Sequence, residues 1–336
     1  MWTQVSSHAS RGLRAVSFRS TTMSPVTDTF DMGIFFGSYE SRCLVSSRLL
    51  HPGSCRSSTI VLFTEASDTS LRVDHDRRLT EQVTRVSEEK PVVRREFSVH
   101  EVERVLEAIV EHASVNGCLR EGSRWFIDIV GAPKVFFMGL IAFLREQLIS
   151  PSITVIHPGA HYDRTAQSES VFPFTSGFSR YMWVPWLWGM PDPTKPWWYF
   201  FLLGFEGNRS YAIYDNFEPL RVDALIAKPG YRRDYTERAF EENRAFLEEA
   251  RPVVMHADAG DPVQTWKMLE KRTVDGDPDS KYNICIAPLG PKPQALGGAL
   301  FALAHGCAGA LYQMPRKFHV RDVKRGRVLW RCDITL

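Results

Sequence analysis

The sequence has no C-x-x-C pair, no apolar run long enough to span a membrane and almost no net charge. Each absence removes a class of protein. Its six cysteines (Cys43, Cys55, Cys118, Cys285, Cys307 and Cys332) are scattered, which argues for reduced thiols in a cytoplasmic setting. Cys285 and Cys307 lie in apolar stretches that read as core. The most apolar aromatic stretch, around Trp183 to Phe205, is broken by Pro185, Pro191, Pro193 and Pro196, so no membrane partner is expected. A formal net charge of +2 over 336 residues gives no basic field for duplex nucleic acid. P-loop, G-x-G-x-x-G, G-x-S-x-G and H-E-x-x-H patterns are missing too, so ATP hydrolysis, dinucleotide binding, serine hydrolysis and zinc proteolysis lack their usual signals. No cofactor is expected.

What is present is an ordinary globular composition, 44% apolar and 24% charged, with the length of one large or two ordinary domains. Residues 1–27 hold Arg11, Arg14 and Arg19, many hydroxyl residues and no acid before Asp28's neighbourhood, and read as a flexible tail. Beyond it, short apolar runs alternate with helical patterns. In residues 28–160 the strands are Met32 to Phe36, Ile60 to Thr64, Pro91-Val-Val, Trp125 to Val130 and Ile153 to Ile156. The helices are Ser98 to Ala113, opened by a Ser98/Glu101 capping box, and Val135 to Leu148.

Residues 197–336 repeat the order: strands at Tyr199 to Leu203, Ala224 to Ala227, Pro252-Val-Val, Tyr282 to Ala287 and Ala310 to Gln313. Helices fall at Asp234 to Ala250, Pro262 to Leu269 and Gln294 to His305. Three anchors keep their order between the halves. Gly37 and Arg42 match Gly204 and Arg209; Pro91-Val-Val matches Pro252-Val-Val; Pro133-Lys134 with Gly139 and Phe143 matches Pro291-Lys292 with Gly297 and Phe301. The expected fold is therefore α/β: two tandem Rossmann-like parallel-sheet halves related by a pseudo-twofold repeat. A Trp/Pro-rich insertion at 161–196 packs over one sheet. Lys317 to Ile334, around the basic turn Lys324-Arg-Gly-Arg327, reads as a C-terminal β-hairpin.

Parallel sheets bind ligands beyond the carboxyl ends of their strands. The polar loops lie there, and facing loops of the two halves are expected to form a pocket for a nucleotide-like ligand. The candidates after the first strands are Gly37, Ser38, Glu40 and Arg42, and Gly204, Glu206 and Arg209. Glycine permits close backbone approach and arginine can grip phosphate with two donors, although Glu40 and Glu206 can equally neutralise those arginines. The candidates after the fourth strands are Asp128, Gly131 and Lys134, and Gly290 and Lys292, where a helix amino terminus favours an anion. His157 and His161 sit in a Pro-Gly loop and make a poor metal pair. His256, Asp258 and Asp261 read as turn and cap chemistry or as a catalytic cluster.

The segment Asp128-Ile-Val-Gly-Ala-Pro-Lys134 is similar to the fourth-strand loop of the CARF domain, which often reads Asp-x-Thr-Gly-Gly-Thr-Lys. Val130 replaces the hydroxyl residue, and Cys285-Ile-Ala-Pro-Leu-Gly-Pro-Lys292 keeps the lysine without the aspartate. Two such units resemble the SAVED arrangement, a fused CARF pair, over most of Met32 to Gln313. The resemblance implies a sensor of cyclic oligonucleotides in prokaryotic antiviral defence, signalling to an effector protein in trans. Two other functions fit the same loops. One is a phosphodiesterase in which Lys134, Arg42 and Lys292 stabilise charge and His157 or His256 moves protons. The other is an interaction scaffold with a vestigial pocket.

Overall fold

The computed structural model describes residues 1–65, 69–87, 91–147, 150–162, 174–306, 308–319 and 322–336. Cys307, Leu148 and the first part of the expected insertion lie outside them. The fold is α/β with two mostly parallel sheets. The chain divides into two compact units: Met1–Asp163 with Val320–Leu336, and Arg164–His319. No described helix is long and apolar enough to cross a membrane.

The first unit opens with strands β1 (Thr3–Ser10) and β2 (Leu13–Ser20), then β3 (Phe30–Phe36). A 3-10 turn, Ser41–Leu44, leads into α1 (Val45–Leu49), β4 (Cys55–Phe63), α2 (Ser70–Ser87) and β5 (Val92–Phe97). Then come α3 (Val102–Val115), β6 (Arg124–Asp128), α4 (Lys134–Gln147) and β7 (Ser152–His161). The second unit holds β8 (Thr175–Trp183), β9 (Trp197–Leu203), α5 (Gly207–Phe217), β10 (Arg221–Ala227), α6 (Arg233–Glu242) and α7 (Arg244–Ala250). It continues through β11 (Val253–Ala257), α8 (Pro262–Gly276), β12 (Asn283–Pro288), α9 (Lys292–Ala304) and β13 (Ala308–Phe318). Strand β14 (Lys324–Thr335) returns to the first unit.

The parallel part of the first sheet runs β7-β6-β3-β4-β5, and that of the second runs β13-β12-β9-β10-β11. Numbered within its unit, each sheet has the order fifth, fourth, first, second, third. A parallel neighbour needs a crossover, so the first strand pairs on both edges and is buried on both faces. Phe35 and Phe36 on β3, and Phe200 and Phe201 on β9, are fully buried accordingly. Each fifth strand then takes an antiparallel neighbour, β14 on β7 and β8 on β13.

Residues expected to form a flexible tail make a β-hairpin instead. Arg11 and Gly12 both have positive φ, 49° and 80°, which is the two-residue turn whose twist suits a hairpin. Leu13, Ala15 and Ser17 alternate onto the buried face, and β2 pairs with β14 (Ala15 opposite Ile334, Ser17 opposite Cys332). The expected C-terminal hairpin is likewise corrected: β13 belongs to the second sheet, while β14 inserts between β2 and β7 of the first. The Trp/Pro-rich insertion, where described, extends the second sheet's edge as β8 and stacks Trp183 on Trp197, ring centres 5.4 Å apart.

Helices α2 and α5 carry no sequence expectation above. The buried positions of α2 are Arg72, His75, Leu79, Val83 and Val86, a helical stripe whose first two members are polar. The single helix expected over Asp234 to Ala250 is two, broken at Asn243. Its buried side chain donates to Gly204 O (2.7 Å) and Ala239 O (2.8 Å) and accepts from Ser210 Oγ (2.6 Å).

If residues 3–20 are a built part of the sheet, Leu13→Ala costs about 2 to 5 kcal/mol. Urea denaturation checks this; an unchanged midpoint would restore the tail.

Candidate functional site

In each unit the loop after the first strand meets the loop after the fourth, and glycine makes the contact. A Cβ on Gly131 would overlap Phe36 O at the end of β3. In the second unit a Cβ on Gly204 would stand 2.6 Å from Leu289 O, and one on Gly290 2.8 Å from Leu203 O. Real Cβ atoms do not come so close, so backbone lies on backbone where the strand order reverses.

The first unit packs charge into this junction. Asp128 ends β6 fully buried, and its Oδ1 accepts the Val130 N–H at 2.8 Å, which shapes the turn into Gly131 and the half-buried Lys134 at the start of α4. Gly37 lies against Leu62 and Asp76. Ser38 is buried; its Oγ accepts from Glu40 N at 3.2 Å, and its carbonyl is 3.1 Å from His75 Nδ1. Arg42 is 5% exposed. Its Nε and Nη2 donate to Glu40, and Nη1 to Pro158 O on β7 at 3.3 Å. Ser41 N donates to Asp322 Oδ1 at 2.8 Å, just ahead of β14.

From α2, Arg72 Nε donates to both oxygens of Asp76, at 2.8 and 2.9 Å. Burial raises the Asp76 carboxyl above its ordinary range, and the Arg72 charge opposes that shift. The Cys43 thiol, buried beside the Ser38 carbonyl, is pushed up strongly by burial and by the charges of Asp128, Glu40 and Asp76. A thiol so placed stays protonated and is no nucleophile.

The second unit builds its junction with less buried charge, one Arg209–Glu206 ion pair beside a neutral amide. Asn243, between α6 and α7, holds the first-strand loop there through Gly204 O and Ser210. Arg209 lies on α5 rather than in a loop. Its Nη1 donates to Glu206 at 3.0 Å, Nε to Gln313 Oε1 at 2.8 Å and Nη2 to Gln313 O on the fifth strand. Gln294 in the first turn of α9 donates to Ala257 O at 3.3 Å, and Lys292 opens the helix, half-buried. Both arginines are therefore ties: each binds its own glutamate and the fifth strand.

The structure brings Gly37, Ser38, Glu40, Arg42, Asp128 and Gly131 into one junction, and Gly204, Glu206, Arg209 and Gly290 into its counterpart. Sequence reasoning missed Arg72, His75 and Asp76. Their signal is the stripe itself, which needs apolar residues along its length yet begins with an arginine and a histidine.

Other candidates resolve as local chemistry. His157 and His161 lie on strand β7, not in a loop. Four residues along a strand separate them by roughly 13 Å, too far to share a metal. Among the described residues no group of three His, Cys, Asp or Glu is placed to hold one. Asp261 caps α8, accepting from Val263 N (3.0 Å) and Gln264 N (3.1 Å), and Asp258 Oδ1 accepts Gly260 N at 2.9 Å. The His256 ring rests on Phe240 at 6.0 Å.

The class this defines is an α/β protein of two mostly parallel sheets, with buried polar junctions at the carboxyl ends of its strands. No protein-family model matches the chain. No curated protein matches it either.

Two outcomes follow from this packing. Gly131→Ala must part the two loops of the first unit and destabilises by roughly 2 kcal/mol or more, read by denaturant titration. Cys43 in the native protein resists a thiol reagent at pH 8 and reacts on unfolding, which mass spectrometry of the modified peptide checks.

Proposed function

We propose that the carboxyl end of the first unit's sheet binds a nucleotide-type ligand, and that the chain is a sensor passing this event to an effector protein in trans. The observation that carries the reading is the concentration of buried charge at one place: Asp128, the Arg42–Glu40 pair and the Arg72–Asp76 pair meet around Gly37 and Ser38. Burying ions is costly, and structural stability alone is better served by apolar packing. Perturbed, buried ionisable groups at a strand-order reversal are where α/β proteins place ligands. The amino terminus of α4 and Lys134 add a field suited to an anion.

On this reading the halves descend from one repeated unit, and the second has kept the architecture with fewer buried charges. The shared strand order and the paired arginine ties support that descent. The likeness to CARF and SAVED domains extends the proposal to cyclic oligonucleotides and a role in defence. The buried cysteines among the described residues, none of them in a disulfide, suit a reducing, cytoplasmic setting. Arg42 and Arg209 serve here as loop ties; Lys134, Asp128 and the loop backbone face the ligand.

A thermal-shift screen against linear and cyclic mono- to oligonucleotides, run on the wild type and Lys134→Ala, tests this. One nucleotide is expected to raise the wild-type Tm, and to do so by less than half as much in the variant. Absence of any shift sinks the reading and favours a scaffold. Recovery of a cleaved nucleotide from the mixture would replace the sensor with a phosphodiesterase.

A further inference from the structure

Arg42, Arg72 and Arg209 make hydrogen bonds in the junctions, and they differ in what remains of their donors. Every nitrogen of Arg42 and of Arg209 already has a partner within the protein. Arg72 is only 2% exposed, and its Nε alone holds both Asp76 oxygens. Its Nη2 is buried with no hydrogen-bond partner. That nitrogen lies 3.4 Å from where a Cβ on Gly37 would stand, directly beneath the first-strand loop.

A buried guanidinium nitrogen without an acceptor is uncommon, because the donor loses its water and gains nothing. A purely structural arginine at this spot would turn its terminal nitrogens to a carbonyl, as Arg42 does with Nη1 and Arg209 with Nη2. The second unit sharpens the contrast. There Asn243 holds the first-strand loop, and its amide is fully used: Nδ2 on Gly204 O and Ala239 O, Oδ1 on Ser210.

We propose that Arg72 is the cation of an oxyanion subsite beneath the Gly37–Ser38 loop, taking a phosphate oxygen of the ligand on Nη2 while Asp76 holds Nε. This rests on the proposed ligand site and adds its chemistry: the ligand carries a phosphate that enters on the α2 side of the first-strand loop. The loop backbone covers Nη2 in the free protein, so the subsite opens as the loop yields to the anion. Asp76 is then a competitor as well as a clamp, since it neutralises the charge the phosphate seeks.

The test uses full-length protein with inorganic pyrophosphate and phosphate as probes, read by titration calorimetry and thermal shift. Wild type is expected to bind pyrophosphate. Arg72→Lys keeps a cation opposite Asp76 but loses the second donor, and weakens binding about tenfold. Asp76→Asn removes the competing carboxylate; its Tm falls without ligand, but pyrophosphate binds several-fold tighter and restores more of the lost Tm than it adds to wild type.

Wild type that ignores both probes overturns the subsite, as does Arg72→Lys binding them unchanged. If Arg72→Lys fails to fold, Asp76→Asn decides alone, because a merely structural pair predicts a lower Tm with no gain in anion affinity. Arg72-dependent pyrophosphate binding without any nucleotide binding would leave the subsite standing and remove the nucleotide reading. Nucleotide binding that Lys134→Ala abolishes and Arg72→Lys spares would do the reverse.

Discussion

The first strand of each unit is hydrogen-bonded to parallel neighbours on both edges, and most of the architecture is a consequence. Parallel pairing forbids tight hairpins, so every link must cross the sheet as a helix or long loop. Chain that leaves the first strand toward the second, and later returns to its other edge as the fourth, covers opposite faces. The loops after the first and fourth strands are therefore the pair that meets at the reversal, and only glycine lets their backbones touch there. Gly131 in one unit, with Gly204 and Gly290 in the other, answers that geometric demand. Helix amino termini crowd the same end of the sheet, and their unpaired N–H groups make it the natural place for carboxylates and anions.

The two units answer one geometric problem with different electrostatics. Both must tie the first-strand loop to the helix that follows the second strand and to the fifth strand. The second unit uses an asparagine whose three hydrogen bonds are satisfied, and an arginine paired to Glu206 and Gln313. The first uses two ion pairs, a buried aspartate and a buried histidine. The second unit holds its loop with one ion pair and a saturated amide, at a lower desolvation cost. The extra charge in the first unit is surplus to holding the loop, which makes it an argument about ligand rather than about stability.

Legibility in the sequence followed the type of signal. All ten parallel strands overlap runs that can be read by eye, although β5 and β11 offer only Pro-Val-Val, and the colinear anchors at Gly37/Arg42 and Gly204/Arg209 fall at the polar junctions. What the anchors could not convey is direction: an arginine beside a glutamate is compatible with a ligand or with a tie, and only the carbonyls of Pro158 and Gln313 decide for the tie. Helix α2 escaped because its stripe opens with Arg72 and His75 and its exposed faces are strongly polar, so periodicity of apolar residues begins only at Leu79. The hairpin of residues 3–20 escaped because Ser and Arg are its commonest residues, and of its buried positions Leu13, Ala15, Ser17 and Ser20 only the first is a large apolar side chain. The exchange of β14 into the other sheet is invisible locally, since two extended runs near each other in sequence default to a hairpin.

That exchange bears on the site. The first sheet is completed by residues far apart in sequence: β14 lies between β2 and β7, and Asp322 just before it receives the N–H of Ser41. The same first-strand loop is held to β7 through Arg42. The loop therefore rests on β7 directly and on the approach to β14, two strands that pair along their lengths. A displacement of Gly37–Ser38 toward solvent pulls on Ser41 and Arg42 within four residues, too short a span to absorb it as slack. Strain introduced at the loop must then be carried by the β7–β14 pair or relieved by breaking the Asp322 contact, and that single bond is the weaker of the two. The first unit thus couples its buried charges to its most sequence-distant strand through one hydrogen bond, whereas in the second the tie from Arg209 ends on β13 with two.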